Sequence, residues 1–225
     1  MTVAAVILAA HHGIALREVE GVLNARRLAE AAWAGGAVPI VVVAPDPDGS
    51  VAAALAGSEA VLATPAPPEA GPSGQMSRGA RIAIDLVGDT TAVLLWPARM
   101  GWADAETVTS LIEAHGRYPG SLLRPAYGGE PGWPALVPMV HLNALEAVGP
   151  KPMPAAVLDA LVAGGVPLAL VEVGDPGTAH DLDTPRGELP PFEGPPEPAA
   201  GHHHEWGAEA AQGPDTPPEP PPAVG

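Results

Sequence analysis

Two hydrophobic patterns alternate along the chain. Residues 3–10 and 38–44 are continuous apolar runs, which are typical of strands covered on both faces. Residues 21–35, between them, place apolar side chains at helical spacing and end at a glycine pair. By the same criteria, further strands are predicted at residues 60–63, 91–96, 121–126, 135–138 and 166–173, and further helices at residues 51–56, 77–86, 104–115, 140–148 and 154–164.

The alternation of strands and helices predicts the fold class. Chains of this kind form α/β folds, whose mainly parallel sheets are joined by right-handed crossovers. Ligands of such sheets bind beyond the carboxyl ends of the strands. The candidate site therefore lies in the loops that follow the strands, at residues 9–20, 64–79, 96–104 and 174–186.

Composition divides the chain near residue 187. Residues 187–225 contain 11 prolines, 6 glycines and 7 acidic residues, but no lysine or arginine. A segment with so few apolar residues cannot offset the entropy of ordering, so we expect a disordered acidic tail after a single domain at residues 1–186. The tail is a candidate arm for a protein partner. Its His202-His203-His204 run suits weak transition-metal binding, although a solvated biased segment is the preferred interpretation.

The balance of charge argues against several functions. The 225 residues carry 26 acids and 10 bases, a formal net charge of −16, which disfavours binding to nucleic acid or to an anionic membrane surface. No apolar run approaches the ~20 residues of a transmembrane helix, and the N-terminus lacks the basic start of a signal peptide. The chain has no cysteine for a disulfide or a thiolate metal site. We therefore expect a cytoplasmic protein.

The loop after the first strand offers groups for binding a phosphate. It contains, in order, Ala9, Ala10, His11, His12 and Gly13. Small residues there let backbone N–H groups approach an anion, and Arg17 supplies a fixed positive charge. A polar turn at the end of the strand explains the two histidines equally well.

Three later loops contribute candidate side chains. Ser77 and Arg78 are predicted at the start of a helix, where a nucleotide base or phosphate can bind, although a helix cap is the preferred interpretation of Ser77. Arg99 is the charged residue of the loop after the fourth strand. Asp181 and Asp183, at i and i+2 of an extended segment, point to the same side. They suit half of a Mg²⁺ site, although a turn-and-cap arrangement explains them slightly better.

Four stretches of the chain, in this order, carry a family resemblance. They are V-I-L-A-A at residues 6–10, residues 95–108 ending in A-E-T-V, R-P-A-Y with P-G-W-P within residues 124–134, and V-G-D-P-G through D-L-D-T-P at residues 173–185. Together they resemble the MobA-like nucleotidyltransferases, which include the guanylyl- and cytidylyltransferases of molybdenum-cofactor maturation. The resemblance spans residues 3–189 and implies a Rossmann-like sheet of the glycosyltransferase-A type.

The resemblance also marks what this chain lacks. The family's first loop continues with glycine, arginine and lysine, for which this chain has a histidine pair and, at best, Arg17 in place of the lysine. By resemblance, Arg99 takes the place of the family's metal-binding aspartate, and Trp133 that of a histidine. Asp183, with Asp181 beside it, keeps the family's metal-ligand type. We therefore expect Mg²⁺ to bind weakly.

Two functions follow from the resemblance and remain open. The first is transfer of a nucleotidyl group from a nucleoside triphosphate to a small acceptor, with release of pyrophosphate; Arg17 and Arg99 would then be the catalytic cations. The second is a catalytically inactive relative that acts as a binding or scaffold module through its acidic, proline-rich tail. The retained order of the motifs favours the first function, and the lost signature residues favour the second.

Overall fold

The computed structural model describes residues 2–10, 13–151 and 153–193, which form ten strands and six α-helices. The strands are β1 (Thr2–Leu8), β2 (Glu18–Val19), β3 (Val22–Leu23), β4 (Ile40–Val43), β5 (Ala60–Ala63), β6 (Thr90–Pro97), β7 (Leu122–Tyr127), β8 (Glu130–Pro131), β9 (Ala135–Pro138) and β10 (Leu168–Glu172). The helices are α1 (Asn24–Ala34), α2 (Ser50–Leu55), α3 (Gly71–Leu86), α4 (Ala105–Arg117), α5 (Leu142–Ala147) and α6 (Pro154–Ala163). Within these described ranges, no helix combines the length and the apolar character that crossing a membrane requires.

Eight of the described strands form one mixed sheet, and β2 and β3 form a separate two-stranded hairpin. The order in the large sheet is β10-β7-β9-β6-β1-β4-β5, with β8 paired to β7. β9 runs antiparallel to β6 and β7, and β8 runs antiparallel to β7, whereas the other neighbours are parallel. The α/β class and the mainly parallel sheet predicted from the sequence are confirmed.

The central strand β1 is buried on both of its faces. Val3, Ala5 and Ile7 pack on the side of α1 and α4, and Ala4 and Val6 pack on the side of α3, α5 and α6. None of the five is more than 3% exposed. A strand covered on both sides has no polar face, which is why residues 3–10 form a continuous apolar run rather than an alternating one.

Two helices begin at positions that the sequence pattern does not predict. α1 begins at Asn24 rather than at residue 21, because the residues just before it form the β2–β3 hairpin. α3 begins at Gly71, ahead of the expected start at Ser77. Pro72 lies in the first turn of α3, where its missing N–H has no intrahelical partner to lose. Ser77 is therefore inside the helix and does not cap it, so the prediction of a helix start there is wrong.

The described chain continues past the predicted domain boundary at residue 186. The Tyr127 hydroxyl donates a hydrogen bond to the carbonyl oxygen of Pro191 at 3.0 Å. The Glu193 N–H donates to the carbonyl oxygen of Gly174 at 2.8 Å. The remainder of the predicted acidic tail, including its histidine run, lies outside the described residues, and its disorder stays a prediction.

The contact between α3 and β1 gives a test of the fold. A Cβ atom on Gly79 would lie 2.2 Å from Val6 Cγ1 and 3.2 Å from Val43 Cγ2. We therefore expect Gly79→Ala to lower the free energy of unfolding by about 1–3 kcal/mol, because the helix must move away from the sheet.

The matched control is Gly116→Ala, near the end of α4, where an added Cβ meets nothing within 4 Å. Alanine is the better helix former, so this variant should raise the free energy of unfolding by about 0.5 kcal/mol. Urea titrations of both variants measure the difference. Equal stabilities for the two variants would contradict the close approach of α3 to β1.

The position of the domain boundary is tested by two truncations. We expect a chain ending at Glu193 to melt at the temperature of the full chain, because it keeps the hydrogen bonds at Pro191 and Glu193. A chain ending at Leu189 lacks both hydrogen bonds, so it should fold but melt a few degrees lower. Calorimetry of the two chains measures this, and failure of both to fold would contradict an independent N-terminal domain.

Candidate functional site

The candidate site lies where β1 and β6, neighbours at the centre of the sheet, both end. The loop that follows β6 returns to β1, since the Ala98 N–H donates to the carbonyl oxygen of Leu8 at 3.0 Å. The segment around Leu182 then crosses this edge, where the Leu182 N–H donates to the carbonyl oxygen of Arg99 at 2.8 Å. Carboxyl ends of parallel strands are the usual location of binding sites in α/β sheets.

Four charged side chains predicted from the sequence meet at this edge. Arg99 Nη2 lies 2.7 Å from Asp181 Oδ2 and 2.5 Å from Asp183 Oδ2. Arg17 Nη1 lies 2.8 Å from Asp183 Oδ1. These residues, Arg17, Arg99, Asp181 and Asp183, form what we call the charge quartet. Its two guanidiniums balance its two carboxylates.

The backbone of residues 181–184, which we call the acidic segment, is also held by hydrogen bonds. Arg17 Nη2 donates to the carbonyl oxygen of Leu182 at 2.5 Å. The indole Nε1 of Trp102 donates to the carbonyl oxygens of Asp181 at 3.1 Å and Thr184 at 3.0 Å. Sequence reasoning did not identify this role of Trp102, because a hydrogen bond to a distant carbonyl leaves no pattern in the sequence.

Buried Asn24 joins the loops that follow β1 and β6. Its Nδ2 donates to the carbonyl oxygens of Ala98 at 2.8 Å and Ile14 at 3.2 Å. The side chain of Asn24 is fully buried, and a Cβ on Gly101 would lie 2.8 Å from its Oδ1. Sequence reasoning missed this residue, although a polar side chain at the start of an otherwise apolar helix face was the available signal.

Two further arginines stack on Trp102 behind the acidic segment. The guanidinium carbon of Arg27 lies 5.6 Å from the centre of the indole ring, and that of Arg186 lies 5.9 Å from it. Arg186 also pairs with Glu20 at 2.8 Å. Burial lowers the pKa of Arg27. Stacked cations of this kind fix the indole that holds the acidic segment.

The charge quartet shifts the acidity of its members. The hydrogen bond from Arg17, followed by the positive charge of Arg99, lowers the pKa of the Asp183 carboxyl. The hydrogen bond and charge of Asp181 raise the pKa of Arg99. The Arg99 and Asp183 side chains are nevertheless 58% and 61% exposed, so a ligand from solvent can reach them.

The other predicted phosphate-binding residues are placed less favourably. The Ala9 N–H donates to the carbonyl oxygen of Val43 at 2.9 Å, so it is not available to a phosphate. Ala10 is half-buried at the end of β1, and Gly13 is exposed in a left-handed turn with φ of 81°. His11 and His12 lie outside the described residues, so their contact with a ligand stays a prediction.

Ser77 and Arg78 lie in the interior of α3, and among the described residues neither forms a hydrogen bond with the charge quartet. The Ser77 hydroxyl is buried without a hydrogen-bond partner among the described residues, and Arg78 Nε donates to the carbonyl oxygen of Thr64. Ser77 lines a cavity of about 280 Å³ at the N-terminal end of α3, together with Ala70, Ser73, Gly74, Glu146, Gly149 and Pro150. A role in nucleotide binding stays a prediction for both residues.

The acidic pair is a poor match to the ligands of Mg²⁺. That ion requires several oxygen ligands in near-octahedral geometry, and the described residues contain no group of three or more His, Cys, Asp or Glu side chains suited to a metal. All four oxygens of Asp181 and Asp183 already accept hydrogen bonds, three from arginine and one from the Asp183 N–H at 3.0 Å. The donor set that the described residues offer at this site therefore does not fit a divalent cation.

Comparison with known proteins identifies the family. The model of the MobA-like NTP transferase domain matches residues 15–179. The chain therefore belongs to the MobA-like NTP transferase family, as the order of its motifs predicts. The match ends just before Asp181 and Asp183, so it covers only the arginine half of the charge quartet. A comparison with curated proteins finds no match.

Solved structures share the fold at low sequence identity. A nucleotidyl transferase from Methanothermobacter thermautotrophicus is 19% identical with a TM-score of 0.63, and the alignment covers 76% of this chain and 87% of that one. Rv0371c from Mycobacterium tuberculosis, in complex with manganese, is 17% identical with a TM-score of 0.59, and the alignment covers 77% of this chain and 89% of that one. The 2-C-methyl-D-erythritol 4-phosphate cytidylyltransferase from Thermus thermophilus is 20% identical with a TM-score of 0.58, and the alignment covers 84% of this chain and 96% of that one. At these identities the likeness establishes the nucleotidyltransferase fold.

The pairing of Arg17 with Asp183 gives a pH-dependent test. In Arg17→Ala, the pKa of the Asp183 carboxyl should rise toward its ordinary value, because the hydrogen bond that lowers it most is removed. Carboxyl ¹³C shifts followed against pH measure this. An unchanged pKa of Asp183 in the variant would contradict the pairing.

The lowered pKa of the Asp183 carboxyl also makes the free energy of unfolding depend on pH. A carboxyl whose pKa is lowered by folding stabilises the protein above its unfolded pKa of about 3.9, and that stabilisation disappears as the pH falls through the folded pKa. Arg17→Ala should therefore lose less stability than the parent on acidification below pH ~4. Arg117→Ala, at the far end of α4, is the control and should follow the parent.

Proposed function

We propose that this chain binds a nucleoside triphosphate at the charge quartet and transfers its nucleotidyl group to a small acceptor, releasing pyrophosphate. Membership of the MobA-like NTP transferase family supports nucleotidyl transfer as the class of activity. The observation that carries the proposal is the convergence of Arg17 and Arg99 at the carboxyl ends of β1 and β6. By the resemblance, a molybdenum-cofactor precursor is the first acceptor to test.

Arg99 retains donors for a phosphate beside its two carboxylate partners. Among the described residues, both of its side-chain hydrogen bonds use Nη2, so Nε and Nη1 remain for a ligand. A guanidinium presents donors in a planar fork that matches phosphate oxygens. In a chain of net charge −16, these unused guanidinium donors supply the cationic contact that an anionic nucleotide needs.

The same arrangement of charges also favours a second function, in which the chain binds a nucleotide without catalysing its transfer. Phosphoryl-type transfer depends on positioning and on cations that neutralise the developing charge. Here both carboxylates are already paired with arginine, which favours a relative that binds a nucleotide and does not turn it over. The acidic tail would then serve as the arm for a protein partner, and most of it lies outside the described residues.

Calorimetry and a pyrophosphate assay separate these functions. We expect one of ATP, GTP, CTP or UTP to bind, and Arg17→Ala to weaken that binding about tenfold or more, since a charge-assisted hydrogen bond contributes ~1.5–3 kcal/mol. Arg117→Ala removes the same charge far from the site and should bind as the parent does. Nucleotide-dependent release of pyrophosphate with an acceptor supports transfer, whereas binding without release supports the second function. Failure of all four nucleotides to bind would overturn both.

A further inference from the structure

Arg99 occupies the space between the two carboxylates of the charge quartet. A single nitrogen, Nη2, donates to Asp181 Oδ2 at 2.7 Å and to Asp183 Oδ2 at 2.5 Å. The backbone of Arg99 is tied to the same segment, because its carbonyl oxygen accepts from the Leu182 N–H at 2.8 Å. Arg99 is thus held to the acidic segment at both its backbone and its side chain.

We infer that Arg99 is a tethered cation that replaces a divalent metal ion between Asp181 and Asp183, so that this site takes its nucleotide without Mg²⁺ or Mn²⁺. The inference deepens the proposed function and, for the nucleotide, rests on it. The part that concerns the metal ion depends only on the geometry of the charge quartet and not on the proposed function.

The hydrogen bonds of the carboxylates are the first argument. Asp181 Oδ1 accepts from the Asp183 N–H, and Asp183 Oδ1 accepts from Arg17, while Arg99 takes the second oxygen of each. A metal ion would have to share each of these oxygens with a donor already bound to it, and three of the four donors are positively charged guanidinium groups. Mg²⁺ also surrenders its own water reluctantly, so it gains little in exchange.

The balance of charge is the second argument. The two guanidiniums already neutralise the two carboxylates, so a divalent ion would add two uncompensated positive charges next to Arg17 and Arg99. Like charges within about 4–6 Å oppose one another. Guanidinium groups offer only donors and no lone pair to a metal, so neither arginine can serve as a ligand.

Direct measurement of Mn²⁺ binding tests the inference without any nucleotide. Full-length chains carrying Arg99→Asp, Arg99→Asn and Arg117→Asp are titrated with Mn²⁺, and the free ion is followed by electron paramagnetic resonance. Arg99→Asp supplies a third carboxylate, and we expect it to bind one Mn²⁺ at least about tenfold more tightly than the parent. Arg99→Asn should show a smaller gain, and Arg117→Asp, with the same change of charge elsewhere, should show none.

Thermal melts give a second readout that detects a failure to fold. Three carboxylates close together repel one another, so Arg99→Asp should melt below the parent, and millimolar Mg²⁺ should raise its melting temperature by binding only the folded state. The parent and Arg117→Asp should not respond to Mg²⁺. A parent that binds Mn²⁺ as tightly as Arg99→Asp would overturn the inference, as would an Arg99→Asp chain that folds without any gain.

Nucleotide titrations with Mg²⁺ and with a chelator complete the test. The parent should bind its nucleotide equally well, within about twofold, in both conditions, whereas a tenfold gain with Mg²⁺ would overturn the inference. Should no nucleotide bind to the parent, the proposed function fails while the Mn²⁺ titrations still decide the role of Arg99. The two failures are therefore distinguishable.

Discussion

The hydrogen bond from the Leu182 N–H to the carbonyl oxygen of Arg99 sets the register on which the site depends. Residues 181–184 form a hydrogen-bonded turn rather than an extended segment, since the Thr184 N–H donates to the carbonyl oxygen of Asp181 at 3.0 Å. Leu182 is 4% exposed, and its burial within this turn leaves the Asp183 side chain accessible to solvent. A slip of one residue would expose Leu182 and place an aspartate in its buried position. The cost of burying unpaired charge excludes that alternative, and the register that remains places Asp181 and Asp183 against Arg99.

The strands of the sheet were predictable from their apolar runs, both at the fully buried β4 and at the partly exposed edge strand β5. β5 spans the predicted residues 60–63, and the helix predicted from residue 104 begins at Ala105. Asp104 caps it by accepting from the N–H groups of Glu106 and Thr107. The β2–β3 hairpin was not predictable, because two-residue strands are too short to show a period. The start of α3 was missed because Gly71 and Pro72 favour a loop in isolation, although proline is well suited to a first helical turn.

The site was predictable only in part, for a different reason. The meeting of Arg99 with Asp183 follows from the family's order of motifs, since residues at corresponding strand ends come together in the fold. The contributions of Trp102 and Asn24 did not follow, because each donates to backbone carbonyls, and any residue type supplies a carbonyl. Sequence reasoning therefore recovers the charged partners of a site more readily than the neutral groups that orient them.

An exchangeable metal ion and a tethered guanidinium differ in what they contribute at the ends of these strands. The occupancy of an ion depends on its concentration, whereas Arg99 is part of the fold and neutralises Asp181 and Asp183 at all times. The guanidinium attracts phosphate through a planar set of donors, but it offers no coordination sphere to align the attacking and leaving oxygens. In the proposed function, nucleotide binding would therefore depend on the Nε and Nη1 donors that Arg99 retains, and transfer would depend on an alignment that Arg17 and the loops must supply.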